Sequence, residues 1–225
     1  MVKVKICGVT TLEDAVVAAE AGADMIGLNF YKHSPRYIEP EVARDLAAAL
    51  RQRFRAACPL LVGVFVNDVV GRVSLTMETV GLNAAQLSGD ESGEMLKEMR
   101  GIAFKAIRPR NRSEALEDAA YYARHAPTDT RLPTLLVDAN SPGLYGGTGE
   151  QANVDVVLAV KGVVPRLMLA GGLTPENVGA RVAQIAPWGV DVASGVEYDG
   201  QPGRKDPDKL RAFIRAARSQ EEQDR

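Results

Sequence analysis

Short apolar, β-branched runs alternate with longer amphipathic runs from one end of this chain to the other. The apolar runs read as eight strands: Lys3–Cys7, Met25–Asn29, Leu60–Val66, Ala84–Leu87, Phe104–Ile107, Thr134–Asp138, Arg166–Ala170 and Val190–Ala193. Most lack an apolar/polar alternation. Strands buried on both faces look this way, which points to a parallel sheet covered by helices. The intervening segments carry helical periodicity. Leu12, Ala15, Val16 and Ala19 fall on one helix face, and Thr11 with Asp14 resembles a capping pair ahead of it. Val42, Leu46, Ala49 and Leu50 repeat the pattern after the second strand. After the seventh, Thr174-Pro175-Glu176 reads as an N-cap, a proline at the first helical position and an early acid, with Val178, Val182 and Ile185 as the buried stripe.

Eight βα units without a break in composition predict an α/β fold, a single (β/α)8 TIM barrel over residues 1–225 with a parallel eight-stranded barrel at its centre. An open doubly wound sheet would show the same alternation and stays open at this point. A polar tail follows from about Ser219.

Composition narrows the function classes. The chain has 225 residues, 46% apolar and 25% charged, enough for a core that needs no covalent staples. Its two cysteines, Cys7 and Cys58, define no bridge and fit a reduced cytoplasmic compartment. Net charge is −2 with both signs scattered, so no basic stripe suggests nucleic acid and no polybasic run suggests a lipid surface. The charged N-terminus does not read as a signal peptide, and no run of about 18 apolar residues suggests a membrane span. The expectation is a soluble protein that takes a small-molecule phosphorylated substrate, as a monomer or a homodimer.

In a barrel, functional residues gather where strands end and the next loops begin. Cys7, followed by Gly8, closes the first strand; a thiol there is either a small core hydrophobe or, given cationic help, a base. Asp138 closes the sixth, as a turn residue or as an acid nearly opposite Cys7 across the mouth. A base and an acid on opposite sides suit an isomerisation, and burial of Asp138 would favour its protonated form. Glycines converge on one corner: Gly146-Gly147-Thr148-Gly149 after strand six, Gly171-Gly172 after strand seven, Ser194-Gly195 after strand eight. Backbone N–H groups bared in this way fit a phosphate. Arg36, in a long loop after strand two, is either solvated or poised to fork a carboxylate. Asp191, near the end of strand eight, is a substrate contact or a brace. The two histidines, His33 and His125, lack clustered partners, so no metal site, Ser–His–acid triad or organic cofactor motif is expected.

Read in order, these segments resemble the phosphoribosylanthranilate isomerase family over nearly the whole chain. The residues that carry the resemblance are Lys3-Val4-Lys5-Ile6-Cys7-Gly8-Val9-Thr10, Ser34-Pro35-Arg36-Tyr37-Ile38, Gly63-Val64-Phe65-Val66-Asn67, Leu136-Val137-Asp138, Tyr145-Gly146-Gly147-Thr148-Gly149, Gly171 through Val178, Val190 through Glu197, and Pro202-Gly203-Arg204-Lys205-Asp206. The resemblance implies Cys7 as general base, Asp138 as general acid, Arg36 on the anthranilate carboxylate, and the glycine corner on the ribose 5′-phosphate. It implies an Amadori rearrangement in tryptophan biosynthesis without metal or organic cofactor. Two departures stand out. Gln86-Leu87-Ser88-Gly89 has serine where the family commonly has histidine, and Ala193 stands where serine is frequent. Rival expectations are another phosphoribosyl aldose-ketose isomerase, or a non-catalytic barrel that binds an anionic metabolite.

Overall fold

A computed structural model describes residues 1–138 and 149–219. Its strands are β1 (Lys3–Cys7), β2 (Met25–Asn29), β3 (Leu60–Phe65), β4 (Ala84–Leu87), β5 (Ala103–Ile107), β6 (Leu135–Asp138), β7 (Leu167–Ala170) and β8 (Gly189–Val192). The helices alternate with them: α1 (Leu12–Glu20), α2 (Pro40–Phe54), α3 (Val70–Val80), α4 (Gly93–Glu98), α5 (Arg112–Tyr122), α6 (Gly149–Lys161), α7 (Val178–Ile185) and α8 (Pro207–Arg218). Each strand pairs in parallel with the next, and β1 pairs with β8 through Lys3↔Gly189 to Ile6↔Val192. That last ladder closes the barrel and removes the open-sheet alternative.

The strand alternation divides the core in two. Residues facing inward from the N-terminal halves of their strands, among them Met25, Val62, Ala84, Phe104, Leu136 and Met168, plug the lower barrel. Outward residues such as Val4, Ile6, Ile26, Leu28 and Val190 pack against the helices. The plug leaves the C-terminal rim as a floor on which polar groups can stand.

Some helix faces differ from the periodicity reading. Ala15, Leu46 and Leu50 are buried as expected, but Leu12 and Val42 are exposed, and Asp14 and Ala18 in α1 and Ala43 and Ala47 in α2 complete the buried stripes. Alanines lie where helix backbone comes closest to the sheet, and buried Asp14 accepts the Lys205 N–H at 3.0 Å. At Ala18, Ala43 and Ala47 tertiary packing thus selected small residues, while Leu12 and Val42 were left outside. In α7, Val178, Val182 and Ile185 are buried as expected, but the helix starts at Val178, not at Pro175, because Asn177 Oδ1 accepts the Thr174 N–H at 2.8 Å and forms a separate turn. The Thr11 cap of α1 is present, accepting from Asp14 N at 3.2 Å.

Candidate active site

Cys7, the last residue of β1, points into the barrel mouth and is buried. Two residues earlier on the same strand face stands Lys5, whose side chain is 0% exposed. Lys5 Nζ donates to Asp191 Oδ1 of β8 at 2.9 Å, and it adjoins the Cys7 sulfur, both atoms lying against the bare backbone of Gly27. Burial works against the Lys5 charge, but Asp191 and Cys7 outweigh it and hold the ammonium above its ordinary range. Burial likewise pushes the Cys7 thiol up; Lys5 pulls it back, Asp191 adds to the rise and Lys205 opposes it, and the net direction is upward. The cationic help that a basic thiol needs is therefore present, yet in the free protein desolvation outweighs it.

Arg36 lies over this cluster. Its loop is tied to β2 by Asn29, whose Oδ1 accepts the Tyr31 N–H at 2.9 Å and whose Nδ2 donates to Ser34 Oγ at 3.1 Å. Ser34 Oγ in turn accepts the Arg36 N–H at 3.1 Å. Gly8, at φ +68°, leaves the space that the Arg36 side chain occupies; a Cβ there would run into Arg36 Cδ. The guanidinium forks Glu197, Nε to Oε1 and Nη2 to Oε2, each at 2.8 Å. That fork leaves the Nη1 edge for a second carboxylate.

Glu197 is itself buried and also accepts from Lys205 Nζ at 2.9 Å and Gly203 N at 3.1 Å. Burial alone would raise its carboxyl, but bonds from Arg36, Lys205 and Gly203 bring it below the usual carboxylate range. Lys205, buried and sharing one carboxylate with Arg36, is pulled down by its burial.

Across the mouth, Asp138 ends β6 with 28% of its side chain exposed, 3.4 Å from Arg108 Nε. Asp138 is thus partly buried at the rim of the barrel, beside a cation. Between Asp138 and Asp191 lies a pocket of about 220 Å³, lined also by Gly171, Gly172, Ser194 and Gly195. Gly171 and Gly172 adopt φ of +97° and +62°, and a Cβ on Gly195 would strike the Leu173 carbonyl. Such backbone excludes side chains and leaves peptide groups to line the corner. Gly147, the remaining member of the expected corner, lies outside the described residues, as does the tail beyond Ser219.

The structure thus brings Cys7, Asp191 and Arg36 to one side of the mouth and Asp138 to the other, with the glycine corner between. Asp191 is both a brace for Lys5 and part of the pocket wall. The sequence reading missed Lys5, Glu197 and Lys205 as working parts. Lys5 had a usable signal, its two-residue spacing from Cys7 on a strand. Nothing local marks Glu197 as the partner of Arg36, 161 positions away. Ser88 is buried and accepts from Gln86 Nε2 at 3.1 Å, so no charge stands at that position. Among the described residues, no group of three or more His, Cys, Asp or Glu side chains is placed to hold a metal ion.

Comparison with known proteins bears on this geometry. Residues 4–216 match the family model described as N-(5'phosphoribosyl)anthranilate (PRA) isomerase. An N-(5'-phosphoribosyl)anthranilate isomerase of Citrifermentans bemidjiense is 45% identical over 218 residues, 97% of this chain and 98% of that protein. The crystal structure of phosphoribosyl anthranilate isomerase from Thermotoga maritima superposes with a TM-score of 0.82 at 36% identity, covering 97% of this chain and all of that one. A solved complex of such an isomerase with reduced 1-(o-carboxyphenylamino)-1-deoxyribulose 5-phosphate superposes with a TM-score of 0.79 at 34% identity, over 97% of this chain and 100% of that one. With its closed barrel, this chain belongs to the N-(5'-phosphoribosyl)anthranilate isomerase family.

Proposed function

We propose that residues 1–225 act as one catalytic barrel that converts N-(5-phosphoribosyl)anthranilate to 1-(2-carboxyphenylamino)-1-deoxyribulose 5-phosphate, an aldose-ketose isomerisation of tryptophan biosynthesis. The observation that supports the residue roles is that Cys7 ends β1 and Asp138 ends β6, three strands apart in the closed barrel, with the glycine-walled pocket running from Asp138 to Asp191. The 5′-phosphate sits against Gly171, Gly172, Ser194 and Gly195, and we assign Gly147 to it as a further contact. The anthranilate carboxylate takes the Nη1 edge of Arg36, which Glu197 holds in place from behind.

Asp138 gives its proton to the furanose ring oxygen as the C–O bond breaks, leaving a protonated imine at the former anomeric carbon. Cys7, as thiolate, then takes the proton from the neighbouring carbon, and the C–H electrons move into the imine to give an enolamine. Tautomerisation of the enolamine yields the ketose. The substrate's own nitrogen serves as electron sink, so the chemistry calls for no metal or organic cofactor.

The imine's positive charge also bears on the base. Burial favours the neutral thiol in the free protein, whereas a cation formed beside Cys7 favours the thiolate. Because the thiol is raised, kcat/KM rises with pH through the Cys7 titration and falls on its acid side.

The residues assigned here all come from one chain, so a monomer or a homodimer serves equally; a relative from Thermotoga maritima is described as dimeric. No described helix is long and apolar enough to cross a membrane, and we place the reaction in the cytoplasm.

Steady-state turnover of freshly generated phosphoribosylanthranilate tests the reading. Wild type turns the substrate over, and Cys7→Ser and Asp138→Asn each lose at least about a hundredfold in kcat, the usual scale for removing an acid or a base. Equal rates for Cys7→Ser and wild type would remove Cys7 from the mechanism.

A further inference from the structure

Among the described residues the barrel interior is filled mostly by apolar side chains, with the buried amide of Gln86 and the buried ion pair of Lys5 with Asp191 as exceptions. A buried pair of this kind adds little to stability compared with apolar filling of the same space. Its placement therefore calls for another explanation. The packing around Nζ and Sγ offers one. Across from β1, Gly27 of β2 has no side chain, and a Cβ there would lie 2.8 Å from the Cys7 sulfur and 3.1 Å from Lys5 Nζ. The bare backbone at Gly27 gives sulfur and ammonium the room to lie side by side. Asp191 takes one Nζ proton at 2.9 Å and fixes the ammonium's position. The remaining Nζ protons are left for the sulfur, its neighbour on the same strand face and over the same bare Gly27 backbone.

Resting on the proposed reaction, we propose that Lys5 is a positioning residue for the base: anchored by Asp191, its ammonium donates to the Cys7 sulfur and stabilises the thiolate that abstracts the substrate proton. Lys5 stays protonated throughout. The proton leaves the substrate carbon and forms the S–H bond of Cys7, the C–H electron pair becomes the C=C bond of the enolamine, and the imine π pair passes to nitrogen. The charged groups that face Cys7 are Lys5 from β1, Asp191 from β8, Lys205 from the segment after β8, and Arg36 from the loop after β2. Of the three cations, Lys5 weighs most on the thiol. It is also the member of the set rooted in the same strand as the thiol.

The test is the pH dependence of Cys7 alkylation by iodoacetamide in a Cys58→Ser background, read alongside steady-state kinetics. Lys5→Met moves the alkylation midpoint up by at least about one pH unit, a tenfold loss of thiolate on the acid side. Its kcat/KM near neutrality falls by at least about tenfold, and the deficit narrows as pH rises. Lys5→Arg keeps a charge and recovers part of both losses. Because Lys5→Met leaves Asp191 buried and unpaired, the double variant Lys5→Met/Asp191→Asn guards against misfolding. Its midpoint also lies above that of wild type, since the charge in contact with the sulfur is the one lost. An unchanged midpoint in both variants overturns the proposal. Alkylation needs no substrate, so the two readings can fail separately. Wild type without turnover overturns the isomerase reading, and with it the role given to Lys5, even where the midpoint moves.

Discussion

Three lysines among the described residues are buried in ion pairs, and the two that stand on strands, Lys5 and Lys105, face opposite ways. Lys5 and Asp191 have side-chain exposures of 0% and 10%, and Lys105 and Glu91 of 3% and 2%. Lys5 shares its strand face with Cys7 and points inward. In β5, Phe104 and Ala106 belong to the interior cluster, so Lys105 between them points outward, toward α5. There Lys105 pairs with Glu91 at 2.7 Å, donates to the Gly89 carbonyl and stands 5.6 Å from the centre of the Tyr122 ring. Glu91 accepts in addition from Asn67 N at 2.7 Å and Gly89 N at 2.8 Å. The outer pair thus staples the loop after β4 to β5 and to the loop after β3. Chemistry and burial are alike in the two pairs. The parity of one residue along a strand decides which pair touches the thiol and which holds a loop.

The widest separation between them comes from deleting the outer lysine. Lys105→Met strands a buried carboxylate and costs about 3–5 kcal/mol of stability. At temperatures where the variant remains folded, kcat for the isomerisation and the pH midpoint of Cys7 alkylation stay near wild type. Denaturant unfolding and alkylation on the same sample check both halves. A Lys105→Met variant that moved the alkylation midpoint would erase the distinction between the two pairs.

A smaller effect follows from Glu197, which serves neither as acid nor as base in the proposed reaction. Glu197→Gln takes the negative charge from beneath Arg36 and Lys205 while keeping an oxygen for Gly203. The guanidinium loses its charge-assisted fork, and KM rises about tenfold, with a smaller change in kcat. Should kcat collapse while KM holds, the Arg36–Glu197 unit would belong to the chemical step and not to the grip on the carboxylate.

The strands were legible because buried parallel strands are written as apolar runs, and β1, β2 and β4 match their expected bounds residue for residue. The helix faces were less so. Periodicity ranks Leu12 and Val42 as core, yet packing distance favours alanine, and Asp14 is drawn inside by a backbone N–H from Lys205, 191 positions away. The same limit applies to the site. Cys7, Asp138 and the glycine corner could be read because each sits at a strand end, a place that topology alone makes functional. The fork from Arg36 to Glu197 and the clamp from Lys205 are contacts between distant segments that no local pattern records. Lys5 lies between these cases. Its strand parity was readable, but a lysine in a barrel interior makes sense only once Asp191 is seen across from it.

The smallest change tests how firmly the Arg36 side of the mouth is held. Gly8 combines two constraints, a left-handed backbone at φ +68° and a side-chain path filled by Arg36. An alanine there carries a conformational penalty of about 1 kcal/mol and pushes its methyl against Arg36 Cδ. The backbone after Cys7 has little freedom to yield, because Val9 N donates to the Gly27 carbonyl at 3.1 Å. Arg36 must therefore shift, and the Nη1 edge moves relative to the bound carboxylate. Gly8→Ala raises KM about fivefold, a loss of roughly 1 kcal/mol in substrate binding. Its kcat and the alkylation midpoint of Cys7 change little, because Lys5, Asp191 and Gly27 lie on the other side of the sulfur. A fall in kcat with an unchanged KM would mean that Gly8 sets the position of Cys7 itself, and that the base is held from the loop as much as from inside the barrel.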